Sequence, residues 1–189
     1  MEKIKTIFER NWEGNRKVID KLAVTDFDFS NAVATEKVDG TNVRITVRNH
    51  ILVRLEKRRN PTKSEKEKGI IEPWYTDANP ADNADKYIFE AASHTDLSDV
   101  PDGEWNAEAF GEKIQGNPLN IKGHFLFIFS LKSWREKITF DNVPIEFNEL
   151  KKWLKEQKSL IGSDCGIEGI VWHNEATSEM CKIKVKDFE

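Results

Sequence analysis

Residues 43–56 read Val43-Arg44-Ile45-Thr46-Val47-Arg48-Asn49-His50-Ile51-Leu52-Val53-Arg54-Leu55-Glu56, and this stretch decides the fold. Val43, Ile45 and Val47 alternate with Arg44, Thr46 and Arg48, while Ile51, Val53 and Leu55 alternate with Leu52, Arg54 and Glu56. Period-two alternation on both sides of a polar pair marks an antiparallel hairpin. A two-residue turn at Asn49-His50 would pair Val47 with Leu52 and Ile45 with Arg54, mixing apolar and charged residues on one face. A three-residue loop at Arg48 to His50 pairs Val47 with Ile51, Ile45 with Val53 and Val43 with Leu55, so this register is expected. It sets Arg44 across from Arg54. Like charges in opposition destabilise a sheet, so either both side chains splay into water or they share an anion such as a phosphate.

Outward from the hairpin, the pattern mixes strands and helices. A short helix is expected around Asn15 to Leu22, with turn signals near Asp26 to Ser30. Residues 57–80 are rich in Lys, Glu, Pro and Asn and read as an irregular loop. A helix is expected over Asp82 to Ala92 and a strand over Glu104 to Phe110, with Glu104, Asn106 and Glu108 on one face. Phe125 to Leu131 is apolar on both faces and reads as a buried strand. Phe147, Leu150, Trp153 and Leu154 recur at helical spacing, so Glu146 to Lys158 is an amphipathic helix. Ile167 to Trp172 and Met180 to Val185 are the last strands. No regular βαβ rhythm appears, which favours an α+β fold with mainly antiparallel sheets flanked by helices.

The chain has 189 residues, a net charge of −4 and 33% charged residues. That length suits a single domain with a real core. No apolar run is long enough to cross a membrane, and the start lacks a secretory h-region. A cytoplasmic monomer is expected. The two cysteines, Cys165 and Cys181, lack zinc-ligand spacing; reduced thiols are the expectation, with a single disulfide as the alternative. An acidic total argues against nonspecific coating of nucleic acid, but not against a local basic groove.

The chemistry concentrates upstream of the hairpin, in Lys37-Val38-Asp39-Gly40-Thr41-Asn42, and near the end, in Lys182-Ile183-Lys184. A lysine becomes a nucleophile when desolvation or neighbouring cations favour its free amine. Gly40 lets the backbone turn sharply after it. In the terminal strand, alternation puts Lys182, Lys184 and Lys186 on one face and Cys181, Ile183 and Val185 on the other. Stacked ammonium groups call for an anion. Arg58-Arg59-Asn60, Ala107-Glu108-Ala109-Phe110-Gly111, Phe125-Leu126-Phe127-Ile128-Phe129 and Ile167-Glu168-Gly169 lie in order between the two lysine clusters. Each is short and permissive alone.

In that order the motifs resemble those of the covalent nucleotidyltransferases: ATP-dependent DNA ligases, RNA ligases and mRNA capping enzymes. Gly40-Thr41-Asn42 and residues 111–117 look most like the phage-type RNA ligase 2 branch. The resemblance spans about Thr35 to Phe188. It implies an adenylyltransferase domain over 1–189; where DNA ligases and capping enzymes of this superfamily carry an OB-fold domain after the last motif, no OB-fold or other C-terminal domain is expected in this chain. It implies that Lys37 attacks the α-phosphate of ATP, with Mg²⁺ or Mn²⁺, and forms a lysyl-AMP. Glu36, Asp39, Gly40, Glu108, Phe129, Lys182 and Lys184 are then the other nucleotide-binding positions. Glu108 takes the ribose, with Glu104 as its competitor, and Phe129 stacks on the purine. Lys182 and Lys184 hold the α-phosphate, and Lys186 is a solvated charge. Asn42, Arg44, Arg54 and Arg59 become candidate contacts to substrate phosphates, and Glu168 a metal ligand. Where many relatives have Asp after the stacking aromatic, this chain has Ser130. The implied reaction joins a 5′-phosphate to a 3′-hydroxyl of RNA or of a nicked duplex. A minimal DNA nick ligase and a nucleotide- or RNA-binding module without turnover are the alternatives.

Overall fold

A computed structural model describes residues 4–189. In chain order the elements are β1 (Lys5–Thr6), β2 (Phe8–Arg10), β3 (Val18–Leu22), β4 (Ala32–Glu36), β5 (Thr41–Arg48), β6 (Ile51–Arg59), α1 (Lys63–Glu67), β7 (Trp74–Asp77) and α2 (Lys86–His94). There follow β8 (Gly103–Gly111), β9 (His124–Phe127), α3 (Lys132–Arg135), β10 (Thr139–Phe140), α4 (Phe147–Glu156), β11 (Gly169–Asn174) and β12 (Met180–Lys184). The architecture is α+β with sheets that are almost wholly antiparallel, as the sequence implies. Only β1 and β12 pair in parallel among the described strands. The chain divides into two compact units: one is Asp39–Trp134, the other residues 4–38 with Arg135–Glu189.

The first unit is built on a five-stranded sheet in the order β7-β6-β5-β8-β9. Val43, Ile45 and Val47 of β5 are wholly buried, beside Leu55, Ala107, Ala109 and Leu126. Ile88, Ala91 and Ala92 of α2 are buried too, and α2 lies against β8 and β9. The Thr95 hydroxyl at the end of α2 accepts from the Leu126 backbone N–H at 2.8 Å. The opposite sheet face is polar.

The hairpin register differs from the expected one. Arg48 pairs with Ile51 and Val47 with Leu52, so the turn is the two-residue Asn49-His50, and both turn residues have positive φ (49° and 62°). That is the mirror-image turn whose twist suits a hairpin. The apolar–charged mismatch is avoided by a bulge: the register shifts after Val47, Thr46 meets Arg54, and Ile45 meets Leu55. Val53 is the extra residue and stands 57% exposed. Arg44 consequently lies opposite Glu56, not Arg54.

The second unit carries the sheet β1-β12-β11-β4-β10 and the ribbon β2-β3. Its core gathers Ile7, Phe8, Val18, Leu150, Leu154, Ile170, Trp172, Cys181 and Ile183. The amphipathic helix α4 buries Leu150 and Leu154, as its spacing predicts. The expected helix at residues 15–22 is instead β3, because Val18-Ile19 is β-branched and Val18 fills the core opposite Arg10. Residues 57–80 are also more ordered than expected. They hold the end of β6, then α1 with a Thr62/Glu65 capping box, then β7. The aromatic strand ends at Phe127, and Phe125 is 36% exposed. The terminal strand stops at Lys184, where a 3₁₀ turn over Val185–Asp187 takes Lys186 off the lysine face.

Candidate functional site

The unit boundary falls inside the lysine motif, between Val38 and Asp39. Lys37 follows β4, and its backbone N–H donates to the Gly169 carbonyl at 2.8 Å. β11 pairs with β4 on one side and β12 on the other, which sets Val171 between Thr35 and Lys182. This three-strand order brings the two ends of the motif series together within the second unit.

At the centre is Glu168, with a side chain only 9% exposed. Lys37 Nζ donates to Glu168 Oε2 at 2.6 Å, and Lys184 Nζ donates to Glu168 Oε1. Burial alone would push the Glu168 carboxyl up. The Lys37 charge and the bonds from both lysines outweigh burial and hold it below the usual glutamate range. Lys182 makes no such bond among the described residues; burial, then the charges of Lys37 and Lys184, outweigh those of Asp187 and Glu168 and push it down to about 8. Two lysines thus bond one carboxylate, and a third is buried within reach of their charges. Such a site attracts an anion of two or more charges.

Glu36, at the end of β4, is 2% exposed and faces elsewhere. Its oxygens accept from Ser159 Oγ at 2.5 Å and the Leu160 N–H at 2.6 Å, and burial raises its carboxyl above the usual range. It fixes the loop after α4. Gly169 is required by close packing: a Cβ there would lie 2.1 Å from the Ile183 carbonyl oxygen. That neighbour is the chain's own backbone.

The remaining predicted positions lie in the first unit. Gly40 packs its Cα face against β8, where a Cβ would come 2.2 Å from the Ala109 carbonyl oxygen; close approach, not a left-handed turn, demands glycine. Asp39 stands beside it at the start of this unit. Asn42 on β5 and Glu108 on β8 are register partners, and Asn42 Nδ2 donates to Glu108 Oε2 at 3.4 Å. Tyr75 Oη donates to Asn42 Oδ1 at 2.6 Å and lies 3.0 Å from Asn106 Oδ1. Phe129 sits in the turn after β9, half-buried. Ser130 ties that turn to β8: its Oγ accepts from the Asn106 N–H at 2.8 Å and donates to the Asn106 carbonyl at 3.0 Å.

Each arginine is paired with a carboxylate of the chain. Arg44 forks onto Glu56 through Nε at 2.7 Å and Nη2 at 2.8 Å, and Glu56 is 2% exposed in its side chain. Arg54 Nη2 reaches the same carboxylate at 3.3 Å, and its Nε donates to Asp77 at 2.7 Å. The shared anion between Arg44 and Arg54 is therefore the protein's own glutamate. Arg59 forks onto Glu65 at 2.9 and 3.1 Å and stacks over the Trp74 ring at 4.6 Å. Sequence reading missed Glu56, Trp74 and Tyr75. The signal for β7 was present in Trp74-Tyr75-Thr76, three strand formers, but Pro73 and Pro80 on either side disguised it.

The two cysteines are unbonded, and burial pushes the Cys181 thiol up to about 12, so it stays protonated. Among the described residues no three His, Cys, Asp or Glu side chains gather as a metal cluster. Glu168 is a single carboxylate whose two oxygens accept from Lys37 and Lys184. No helix among the described residues is long and apolar enough to cross a membrane.

No family model matches the chain, and no curated protein matches it. Among solved structures it is similar to a Naegleria gruberi RNA ligase mutant with AMP and Mn, at 15% identity and a TM-score of 0.48, over 83% of this chain and 50% of that one. Another mutant of that RNA ligase, with ATP and Mn, matches at 15% identity and a TM-score of 0.46, over 95% of this chain and 55% of that one. The same ligase with PPi matches at 16% identity and a TM-score of 0.45, over 83% and 50%. The chain spans about half the length of these solved chains.

Proposed function

We propose that this chain is the adenylyltransferase part of an ATP-dependent RNA ligase. One observation carries the reading: Lys37 and Lys184, far apart in sequence, share a single buried carboxylate, Glu168, and Lys182 is buried within reach of both their charges. This is a site with excess positive charge and a primary amine at its edge. A nucleoside triphosphate supplies the missing anion. Lys184 exchanges Glu168 for phosphate oxygens, and Lys182 adds a second cation to the α-phosphate. Mg²⁺ or Mn²⁺ enters as counter-ion of the ATP phosphates, held by phosphate oxygens and water.

Lys37 loses a proton to water and its Nζ attacks the α-phosphorus. The N–P bond forms as the bond to the bridging oxygen breaks, and pyrophosphate leaves with that oxygen. AMP then passes to the 5′-phosphate of an RNA strand, and a 3′-hydroxyl displaces AMP to seal the break. The chain contributes positioning and charge stabilisation in both transfers.

The test is intact mass after incubation with ATP and a divalent cation. A gain of one AMP, absent in Lys37→Ala, is the expected result. A wild-type protein that gains nothing across metals and pH sinks the proposal. A second reading has one observation in its favour: Lys37 is held in an ion pair with Glu168 at 2.6 Å. A nucleotide-binding module without turnover would keep it there, binding ATP without any gain in mass. Sealing of nicks with an RNA or a DNA 3′-hydroxyl strand separates an RNA ligase from a DNA nick ligase; faster sealing of the RNA form is expected.

A further inference from the structure

The polar face of the first unit's sheet holds a crevice of about 570 Å³, lined by Arg44, Pro73, Trp74, Tyr75, Glu104 and Asn106. Its size lies within the range of small-ligand clefts, roughly 300–1,000 Å³. Its chemistry differs from that of a phosphate site. Arg44, the one cation lining it, spends Nε and Nη2 on Glu56. Glu104 adds a negative charge, 3.9 Å from the remaining Arg44 nitrogen, Nη1, and its side chain is 54% exposed. That distance is too long for a hydrogen bond, so the carboxylate keeps its lone pairs for a ligand.

Two aromatic rings and a proline supply flat apolar surface. Arg44 covers one face of Tyr75 at 4.7 Å, and Arg59 covers one face of Trp74 at 4.6 Å. These guanidinium groups brace the rings, because each is anchored in turn by a carboxylate, Glu56 or Glu65. The rings are therefore held in place before anything binds. Asn106 stands two residues along β8 from Glu104, so both side chains rise on the same sheet face. Tyr75 Oη lies at the Asn106 amide oxygen at 3.0 Å, which leaves the Asn106 amide nitrogen as the donor end of that side chain.

From these features we propose that the crevice binds one unpaired nucleobase of a nucleic-acid strand, with a preference for guanine. Aromatic surface accepts the π-face of any base. The preference comes from Glu104. A carboxylate accepts only, and guanine alone among the common bases presents two adjacent donors, N1–H and N2–H₂, on its Watson–Crick edge. Asn106, which lines the crevice on the same sheet face, supplies an amide donor for the neighbouring O6. In an unpaired strand that edge is free. The identity of the strand rests on the polynucleotide reading above; the crevice itself does not.

The test uses short single-stranded oligoribonucleotides with 5′-hydroxyl ends, equal in length and differing in one central base, titrated without ATP. Wild-type protein should bind the guanine oligomer several-fold more tightly than the other three. Trp74→Ala should weaken all four by roughly ten- to a hundredfold, the loss of one stacked base, while Trp74→Phe keeps most of the affinity. Glu104→Gln, at an exposed side chain that cannot unfold the sheet, should abolish the guanine preference and leave the other three within about twofold. Equal affinity of Glu104→Gln and wild type for guanine overturns the proposal, as does a Trp74→Ala protein that binds all four as wild type does. Base-dependent binding by a protein that never gains AMP would keep the crevice and discard the ligase.

Discussion

The two units each display a cluster of basic residues on a sheet, and the clusters differ in how many carboxylates they meet. In the first unit Arg44, Arg54 and Arg59 face Glu56, Asp77 and Glu65, each guanidinium answered within hydrogen-bonding distance. In the second, Lys37 and Lys184 share Glu168, and Lys182 is buried within reach of both their charges. The first arrangement is complete in itself and braces aromatic rings. The second pairs two ammonium groups with one carboxylate and buries a third lysine beside them; in the proposed reaction a nucleotide supplies the further anion. Basic residues that build a surface are distinguished from those that await an anion by what lies opposite, not by their own identity.

That contrast breaks most sharply by mutation at the lysines. Lys184→Ala should lower the rate of AMP attachment by about a hundredfold or more, the usual cost of removing one stabilising donor from a phosphoryl or acyl transition state. Its effect on folding should be small, since the remaining Lys37 still satisfies Glu168. Single-turnover labelling beside a urea melt checks both. A Lys184→Ala protein that labels normally would mean that the lysine excess is not the anion site.

The mirror experiment removes a carboxylate from the first unit. Glu56 is buried, and the bond from Arg44, ahead of burial, holds its carboxyl below the usual range. Glu56→Ala leaves two arginines without their shared partner. It should cost about 3 kcal/mol, the low end for breaking a buried pair, because both arginines can reach water. A shift in the urea midpoint at constant m-value reports it. The Trp74 environment should stay less perturbed than that of Tyr75, because Arg59 keeps Glu65.

How much of this could be read from the chain follows from the range of each signal. The alternation of residues 43–56 gave the two strands and the buried face of β5, but not that Ile51 and Val53 of β6 stand exposed. It could not give the register, because a bulge at Val53 costs one unpaired residue and leaves no mark in composition. Nor could it give the partner of Arg44, which turned on that single residue. Lys37, Glu168, Lys182 and Lys184 were legible as candidates through their motif order. Their convergence depends on β11 lying between β4 and β12, a tertiary pairing that no local pattern encodes. Residues 15–22 show the opposite failure, where helix-forming polar residues were overruled by Val18 entering the core.

The mildest test of the contrast is pH. Lys182 is pushed down to about 8, first by burial and then by the charges of Lys37 and Lys184. The protonated form therefore dominates below about 8 and the neutral amine above it. Phosphate binding needs the cation, so ATP affinity should fall as pH rises through 8, by roughly tenfold if one charge-assisted bond is lost. Stability should move the other way. Between about 8 and 10.5 the unfolded chain still binds a proton at this lysine and the folded chain does not, so folding is favoured as pH rises. Affinity falling while stability climbs over the same interval is the signature of a lysine poised for an anion that is not part of the protein. The arginine cluster should show neither trend, since its guanidinium groups keep their charge throughout. In Lys182→Met both slopes should flatten, and ATP titration with parallel denaturation between pH 7 and 10 measures them together.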